Sequence, residues 1–181
     1  MEASVFSNRC DAPASAEEYK QAIRRLVGDR DSVAILRATP EELSAGLAGL
    51  SEENAVRPET DGKWSLAQLV QHFLAMEFVF GFRFRLVLGQ GDAEVAGMDQ
   101  DSWIAQLAYP GIGFLTAARW FRQVREVNLA LIGGLDERGL RRAGRHRERG
   151  LESVAEMLTM STGHDLVHLR QLQRIREALD V

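Results

Sequence analysis

The last third of the chain carries a stripe of residues that constrains the fold more than any other feature of the sequence. From about Ser153 to Leu179, the stripe advances in alternating steps of four and three residues. Its members are Val154, Leu158, Ser161, Asp165, His168, Leu172, Ile175 and Leu179. This spacing places them along one face of a long helix, the face that a helix of a bundle turns towards its neighbours. The stripe therefore predicts a helical bundle.

The middle of this stripe is polar. Ser161, Asp165 and His168 interrupt an otherwise aliphatic face, and a buried polar group without a partner costs about 1–3 kcal/mol. A bundle core accepts such residues when other groups satisfy them. The pattern therefore indicates a site inside the bundle.

Helix-start signals recur along the chain, whereas the alternation typical of strands is almost absent. We predict an all-α fold with helices over Ser15–Val27, Thr39–Leu50, Leu66–Leu88, Ser102–Leu107, Leu115–Leu131 and Ser153–Leu179. Thr39-Pro40 is typical of a helix start, because Thr caps the helix and Pro suits its first position. Ser65 and Gln68 have the spacing of a capping box. Ser51–Lys63 is predicted as a loop and Arg138–Arg149 as an Arg-rich connection.

Composition limits the classes of protein that fit. The 181 residues are predicted to form a single domain over residues 1–181, and the net charge of -4 gives no reason to expect nucleic acid or an anionic membrane as partner. The most apolar segment, Leu66–Leu88, contains charged residues and is predicted as a core helix. No targeting signal stands out. The single cysteine, Cys10, suits a reducing compartment and is not expected to be a catalytic thiol. We expect a cytoplasmic protein.

Three of the four histidines fall at mid-helix positions. His164 and His168 are four residues apart, which places both imidazoles on one helix face, and His72 lies in the middle of the apolar helix. Taken alone, His72 is better interpreted as a hydrogen-bonded core residue, and the spacing of His164 and His168 is a weak signal of a site. Together they indicate a metal site with an open coordination position. Such a ligand set suits zinc or nickel, and less often iron or manganese.

Polar neighbours of these histidines could orient the imidazoles through their free N–H groups. The candidates are Gln68 for His72, Gln171 for His168 and Asp165 for His164. Glu77 is five residues from His72, so we expect it to pair with a nearby cation and not to be a fourth ligand; the cations considered are Lys63, Arg83 and Arg85. Trp64, Trp103 and Trp120 are expected in the core or in a cavity wall.

Arg142, Arg145 and His146 lie in the Arg-rich connection. One interpretation is an anion site near the mouth of the bundle, which would bind the carboxylates of a thiol cofactor or an acidic substrate. The other interpretation is a solvated turn whose charge is partly neutralised by neighbouring acidic residues.

Two segments resemble the signatures of the DinB-like superfamily. Gly62-Lys63-Trp64-Ser65-Leu66, followed by His72 and Glu77, looks like its opening signature, and the closing signature is similar to the stretch from Gly144 to Arg176 that contains His164 and His168. The resemblance covers about Thr39 to Leu179; the first 38 residues match no part of it and form an N-terminal extension with a predicted extra helix.

The resemblance implies a four-helix bundle with up-down-down-up connectivity, often a homodimer, and a divalent metal held by His72, His164 and His168. Family members of this architecture are thiol-dependent transferases or isomerases that use bacillithiol, mycothiol or glutathione; many others have no assigned activity. We therefore expect a metal-dependent enzyme acting on a small molecule, either a thiol S-transferase or isomerase or a hydrolase. The alternative is a non-catalytic stress-response or ligand-binding dimer whose metal site is structural or vestigial.

Overall fold

The computed structural model describes residues 16–107 and 111–180. Cys10 therefore lies outside the described residues. The elements, in chain order, are α1 (Ala16–Val27), α2 (Ser32–Gly46), α3 (Glu52–Ala55), α4 (Leu66–Gly89), β1 (Glu94–Val95), α5 (Gln100–Leu107), α6 (Phe114–Gly133), α7 (Glu137–Arg141), β2 (Ala143–His146), β3 (Gly150–Ser153) and α8 (Val154–Leu179). The three short strands form one sheet in the order β1-β2-β3.

Helices α4 and α6 run side by side in the same direction. The Phe73 ring packs against Phe121 with ring centroids 5.3 Å apart. Two turns further along both helices, Gly81 lies against the Asn128 side chain so closely that a Cβ there would overlap it. Since the contacts advance together along the two helices, α4 and α6 are parallel.

Helices α2 and α8 form the second parallel pair. The Thr162 hydroxyl donates to the Ser32 carbonyl over 3.5 Å near one end, and Gly46 lies against Leu172 near the other. α8 runs against α4, because His168 contacts the start of α4 whereas His164 also reaches Phe80, further along it. The fold is thus a four-helix bundle with up-down-down-up connectivity, as the resemblance implied.

Helix α2 begins seven residues before the predicted start at Thr39. The Asp31 carboxylate caps it, accepting from the Val33 and Ala34 N–H groups. Pro40 lies inside this helix. Because proline has no N–H, it leaves the carbonyl of residue 36 without its helical donor, and a side chain from another helix supplies one, as described below. The prediction of a helix start at Thr39-Pro40 was therefore wrong.

The capping box predicted at Ser65 and Gln68 is confirmed at the start of α4. A second capping box, formed by Ser153 and Glu156, begins α8. The Gln68 side chain accepts from the Ser65 N–H at 2.9 Å. It therefore stabilises the helix start and is not the partner of His72 that the spacing suggested.

The two segments predicted to be irregular contain regular structure. Ser51–Lys63 includes the short helix α3, and Arg138–Arg149 includes most of α7 and the strand β2. β2 pairs with β3 in an antiparallel hairpin, with Gly144 opposite Glu152. Gly144 is required there, because a Cβ would overlap Val87 and the Ala93 carbonyl.

The N-terminal extension contributes the extra helix that was predicted, α1. Its Ile23 is fully buried and lies against Gly163 of α8. The extension also includes the first turns of α2, so only part of it lies outside the bundle.

The buried apolar side chains form two clusters. One includes Phe73 and Phe121, and the other includes Ile23 and Phe80. Among the described helices, none combines the length and hydropathy needed to cross a membrane.

Candidate metal centre

The three predicted ligands meet between the two apolar clusters. His72 extends from α4, and His164 and His168 extend from successive turns of α8. The Nε2 atom of His72 lies 2.8 Å from that of His164 and 3.2 Å from that of His168. One ligand atom from each residue can be chosen so that all three lie within 4.8 Å of one another. The side chains are buried, and the Phe73 and Phe80 rings pack against His164.

Neighbouring side chains fix the orientation of two imidazoles. The Nδ1 of His168 lies 2.8 Å from Gln171 Oε1, an atom that can only accept a hydrogen bond. His168 Nδ1 must therefore carry the proton. The Nδ1 of His164 lies 3.4 Å from Asp165 Oδ1, which orients that ring in the same way. Both arrangements leave Nε2 with its lone pair facing the centre of the cluster, the form that binds metal.

The protonation states suit metal binding. Burial, followed by the charges of the neighbouring histidines, lowers the pKa of His72 well below its usual value. Burial and the proximity of His164 lower the pKa of His168 to about 3. Both rings are therefore neutral at pH 7, as metal ligation requires.

The residues present fit a divalent ion of the zinc or nickel type. Two nitrogens bound tetrahedrally at 2.0–2.1 Å would lie about 3.3 Å apart, close to the separations of 2.8 and 3.2 Å in this cluster. Imidazole nitrogens are borderline ligands, which zinc and nickel accept more readily than magnesium or calcium does. Three ligands also leave at least one coordination position open.

A buried arginine connects the histidine cluster to the rest of the bundle. The Arg125 guanidinium donates to Asp165 Oδ2 at 2.7 Å, to Glu77 Oε2 at 2.8 Å and to the Leu36 carbonyl at 2.9 Å. Leu36 is the residue whose carbonyl Pro40 leaves without a helical donor. Arg125 thus joins α2, α4, α6 and α8, and through Asp165 it reaches His164.

Charge pairing determines the ionisation of Asp165 and Arg125. Burial alone would raise the pKa of Asp165, but Arg125 and the hydrogen bond from His164 lower it to about 2. Burial opposes the charge of Arg125, yet Asp165 and Glu77 raise its pKa above the usual value. Asp165 is therefore ionised at neutral pH and can accept from the His164 N–H.

Glu77 has different partners from those expected. It pairs with Arg125 and accepts from Asn128 Nδ2 at 2.7 Å. Glu77 is buried, and its pairing with α6 could not be inferred from its sequence neighbours. The structure agrees that Glu77 is not one of the clustered ligands.

A cavity of about 150 Å³ adjoins the histidine cluster. His72 lies in its wall together with Gln71, Ala75, Phe78, Met98, Trp103 and Ile104. Trp103 thus lines a cavity, as expected, and Trp64 is buried beside His72. Trp120 is 42% exposed on α6, so its predicted place in the core or a cavity wall was wrong.

The three candidate anion-binding residues lie on or beside β2 but do not converge. Arg142 donates from Nε to the Val87 carbonyl at 3.1 Å and from Nη2 to the Gln90 carbonyl, so it holds the end of α4. Arg145 is exposed and His146 is buried, as expected for adjacent strand residues that point to opposite faces. Their role in binding an acidic cofactor stays a prediction.

His146 has local partners of its own. Its Nδ1 accepts from the N–H groups of Glu148 and Arg149, at 3.2 and 3.3 Å. Burial, followed by the charges of Arg149 and Arg83, lowers the pKa of His146 to about 4. The ring is therefore neutral at pH 7.

Comparison with known proteins agrees with the fold. The model of the DinB superfamily matches residues 35–172. A protein of Geobacillus thermodenitrificans, described as a proposed metal-dependent hydrolase, is 27% identical over 74 residues, which is 41% of this chain and 42% of that protein. YfiT from Bacillus subtilis, described as a proposed metal-dependent hydrolase with an unusual four-helix bundle topology, superimposes with a TM-score of 0.74 at 16% identity, over 81% of this chain and 84% of that one.

The family match spans well over half of the chain. The four-helix bundle of this chain and its three converging histidines define a class of bundle protein with a candidate metal site in the core. This chain belongs to the DinB superfamily.

Proposed function

We propose that this chain is a metal-dependent enzyme that activates a small nucleophile for attack on a small-molecule substrate. The ligands are His72, His164 and His168, and the ion is nickel or zinc, with iron or manganese as the alternatives. The observation that carries the proposal is the convergence of three Nε2 atoms beside a cavity. A site with three protein ligands has room for a nucleophile, whereas a structural site is usually closed by four.

When bound, a divalent ion supplies Lewis acidity, which lowers the pKa of water or a thiol in its open position. The chain's own residues hold the ligands in place for that chemistry. Gln171 fixes the His168 ring, and Asp165, held by Arg125, faces the His164 ring. The apolar walls of the cavity, among them Phe78, limit the access of bulk water.

The nucleophile distinguishes two reactions. With water the protein is a hydrolase, the activity named for the two relatives above. With a low-molecular-weight thiol of the bacillithiol, mycothiol or glutathione type, it is an S-transferase or isomerase, and Arg142, Arg145 and His146 are the candidate contacts to the acidic groups of that thiol. We propose that the enzyme works in the cytoplasm, where such thiols are reduced.

Metal analysis of protein purified without a histidine tag tests the site directly. We expect about one nickel, zinc or similar ion per chain, and its loss in a His72→Ala/His168→Ala variant. His146→Ala is the matched control, because it removes the fourth histidine and leaves the cluster intact. Wild-type protein that takes up no ion, even after incubation with each metal, would contradict the proposal.

Activity separates the two nucleophiles. The metal-loaded protein is assayed against a panel of esters and amides without thiol, and against electrophiles with each thiol. Turnover that needs thiol identifies a transferase or isomerase, and turnover without it identifies a hydrolase. Loss of either activity in the double histidine variant ties the reaction to the site.

Chelation tests the non-catalytic alternative. A structural metal stabilises the fold by mass action, so its removal would lower the melting temperature strongly. We expect an open catalytic site to show only a modest decrease and ready exchange of one metal for another. We also propose a homodimer, which light scattering would report as twice the mass of one chain.

A further inference from the structure

A second, larger cavity lies next to the cavity beside His72. The second cavity has a volume of about 300 Å³ and is lined by Phe78, Val79, Phe82, Arg83, Leu86, Val95, Ala96, Gly97, Met98 and Trp103. Phe78, Met98 and Trp103 line both cavities. The two neighbouring cavities lie between one side of α4 and the segment 95–104, and we call them together the α4 groove. It extends from the metal ligand His72 to Leu86.

The dimensions of the α4 groove suit an elongated ligand. The fourteen residue-to-residue steps from His72 to Leu86 span about 21 Å at the rise of an α-helix. Two aromatic side chains of α4 line the groove and remain largely exposed, Phe78 at 53% and Phe82 at 65%. Large apolar side chains that stay exposed together are typical of ligand grooves.

The lining of the α4 groove is almost without charge. Its single ionisable side chain besides His72 is Arg83, which is 5% exposed and donates to the Ala96 carbonyl at 2.7 Å. The part of the groove beside His72 has no Asp, Glu, Lys or Arg in its described lining. In the metal-free protein, a charged ligand there would therefore lose its hydration without gaining an ion pair with a side chain.

Gln71 lines the α4 groove next to the candidate metal. Gln71 is 9% exposed, and its Oε1 has no hydrogen-bond partner among the described residues. A buried oxygen without a donor is costly, and a ligand N–H or O–H would satisfy it. Because a carboxylate can only accept hydrogen bonds, this atom favours an amide or a hydroxyl over an acid.

We propose that the α4 groove is the substrate site and that it selects an uncharged amide or hydroxyl compound with an extended apolar chain. The chain lies between Phe78, Phe82 and Trp103, and the N–H or O–H group donates to Gln71 Oε1 beside His72. This inference rests on the proposed function for the reaction. The binding step depends only on the α4 groove and can be measured without metal.

Calorimetry with metal-free protein tests the binding step. The probes are hexanamide, heptanamide and octanamide, with octanoate as the charged counterpart of the last. We expect the affinity to rise up to about fourfold for each added CH₂ group, and octanamide to bind at least tenfold more tightly than octanoate. No dependence on chain length, or equal or tighter binding of octanoate, would overturn the proposal.

Two variants locate the bound probe. Ala75→Phe places a ring inside the cavity and should weaken octanamide binding at least tenfold, whereas Ala130→Phe makes the same change at an exposed position of α6 and should have no effect. Gln71→Leu should reduce the preference for octanamide over octanoate. Unchanged octanamide affinity in a folded Ala75→Phe protein would place the ligand elsewhere and refute the assignment.

Metal-loaded protein distinguishes failure of this inference from failure of the proposed function. Octanohydroxamate carries a metal-chelating group on the same chain, so we expect it to bind the loaded protein far more tightly than octanamide does. If octanohydroxamate does not bind the loaded protein more tightly than octanamide, the proposed metal function is contradicted. The octanamide result still tests the assignment of the groove. If acetohydroxamate binds the loaded protein as tightly as octanohydroxamate, the metal site stands and the groove assignment fails.

Discussion

Arg125 shows how one side chain can serve four helices. Its guanidinium is 3% exposed, and it contacts two carboxylates and one backbone carbonyl. The carbonyl is that of Leu36, which has no helical donor because Pro40 lacks an N–H. The arginine therefore compensates a defect in α2 while it also holds Asp165 beside His164.

Replacing Arg125 with methionine should destabilise the protein by about 3–5 kcal/mol, because two buried carboxylates would lose their counter-charge. Urea unfolding gives the change in free energy. Arg122→Met is the matched control on the same helix, since Arg122 forms a partly exposed pair with Glu41 and such pairs contribute about 0–1 kcal/mol. Similar losses of unfolding free energy in the two variants would contradict this account of Arg125 and its two buried carboxylates.

Gln171 contacts the candidate metal ligand His168, with its Oε1 2.8 Å from His168 Nδ1. Removing its carbonyl oxygen by Gln171→Leu should weaken metal binding about 10–100-fold, because the His168 ring is then no longer fixed in its metal-binding tautomer. A competition titration against a chelator measures the affinity. Gln173→Leu, at an exposed position two residues further along α8, should leave it unchanged.

The sequence predicted the clustered histidines better than the group that supports them. His164 and His168 were predictable because helix geometry fixes the relation of residues four apart, and Gln171 because it is three residues beyond His168. Arg125 was missed because its partners Leu36, Glu77 and Asp165 are 89, 48 and 40 residues away in the chain. Only the packing of the helices reveals such a contact. The one available signal was the presence of two acids, Glu77 and Asp165, in apolar helix faces with no arginine or lysine three or four residues away.

At the scale of elements, the packing of α1 against α8 depends on a glycine of α8. A Cβ at Gly163 would overlap the side chain of Ile23, so α1 can lie against α8 only because residue 163 is glycine. The contact holds the N-terminal helix against the turn of α8 that carries His164.

Gly163→Ala should therefore destabilise the protein by about 1–3 kcal/mol through overpacking. Gly133→Ala is the matched control, because nothing lies within 4 Å of its added Cβ and alanine favours the helix. Thermal or urea unfolding measures both. In an Ile23→Ala background the cost of Gly163→Ala should shrink; an equal cost in both backgrounds would show that the contact with α1 is not its cause.

Helix bounds were predictable where a local signal determines them. Ser65 and Gln68 marked the start of α4, because the capping box is a contact within four residues. Pro40 led to a wrong prediction of the helix start, because proline suits the first turn of a helix and is poorly suited to its interior. Only the contact from Arg125 makes the interior position tolerable. The hairpin of β2 and β3 was not predicted, because its arginines are typical of a solvated turn. In the structure, Gly144 and His146 are buried and alternate with the exposed Arg145.

At the scale of the whole molecule, acid should weaken the fold in part through His146. Burial and two arginines lower the pKa of His146 to about 4 from the usual 6.5. The unfolded chain therefore binds a proton below about pH 6.5 that the folded protein takes up only near pH 4. Stability due to this residue is complete above pH 6.5 and decreases as the pH falls between those values.

A substitution separates His146 from other acid-sensitive groups. His146→Asn retains an acceptor near the position of Nδ1 but does not titrate. Between pH 6 and 4.5, the free energy of unfolding should fall less steeply with decreasing pH in this variant, by up to about 1.4 kcal/mol per pH unit. Urea unfolding at a series of pH values, with chelator present throughout, gives both slopes. Identical slopes would show that His146 titrates normally in the folded protein.

The histidine cluster joins distant parts of the chain, since His72 precedes His164 by 92 residues. A ribosome produces His72 long before the rest of the site exists. During synthesis, α4 carries a single imidazole, which holds a metal ion only weakly. The complete site arises only after α8 has left the exit tunnel and docked. Under the proposed function, metal loading is therefore a late event in the life of this protein, and the folded bundle, not the nascent chain, selects the ion.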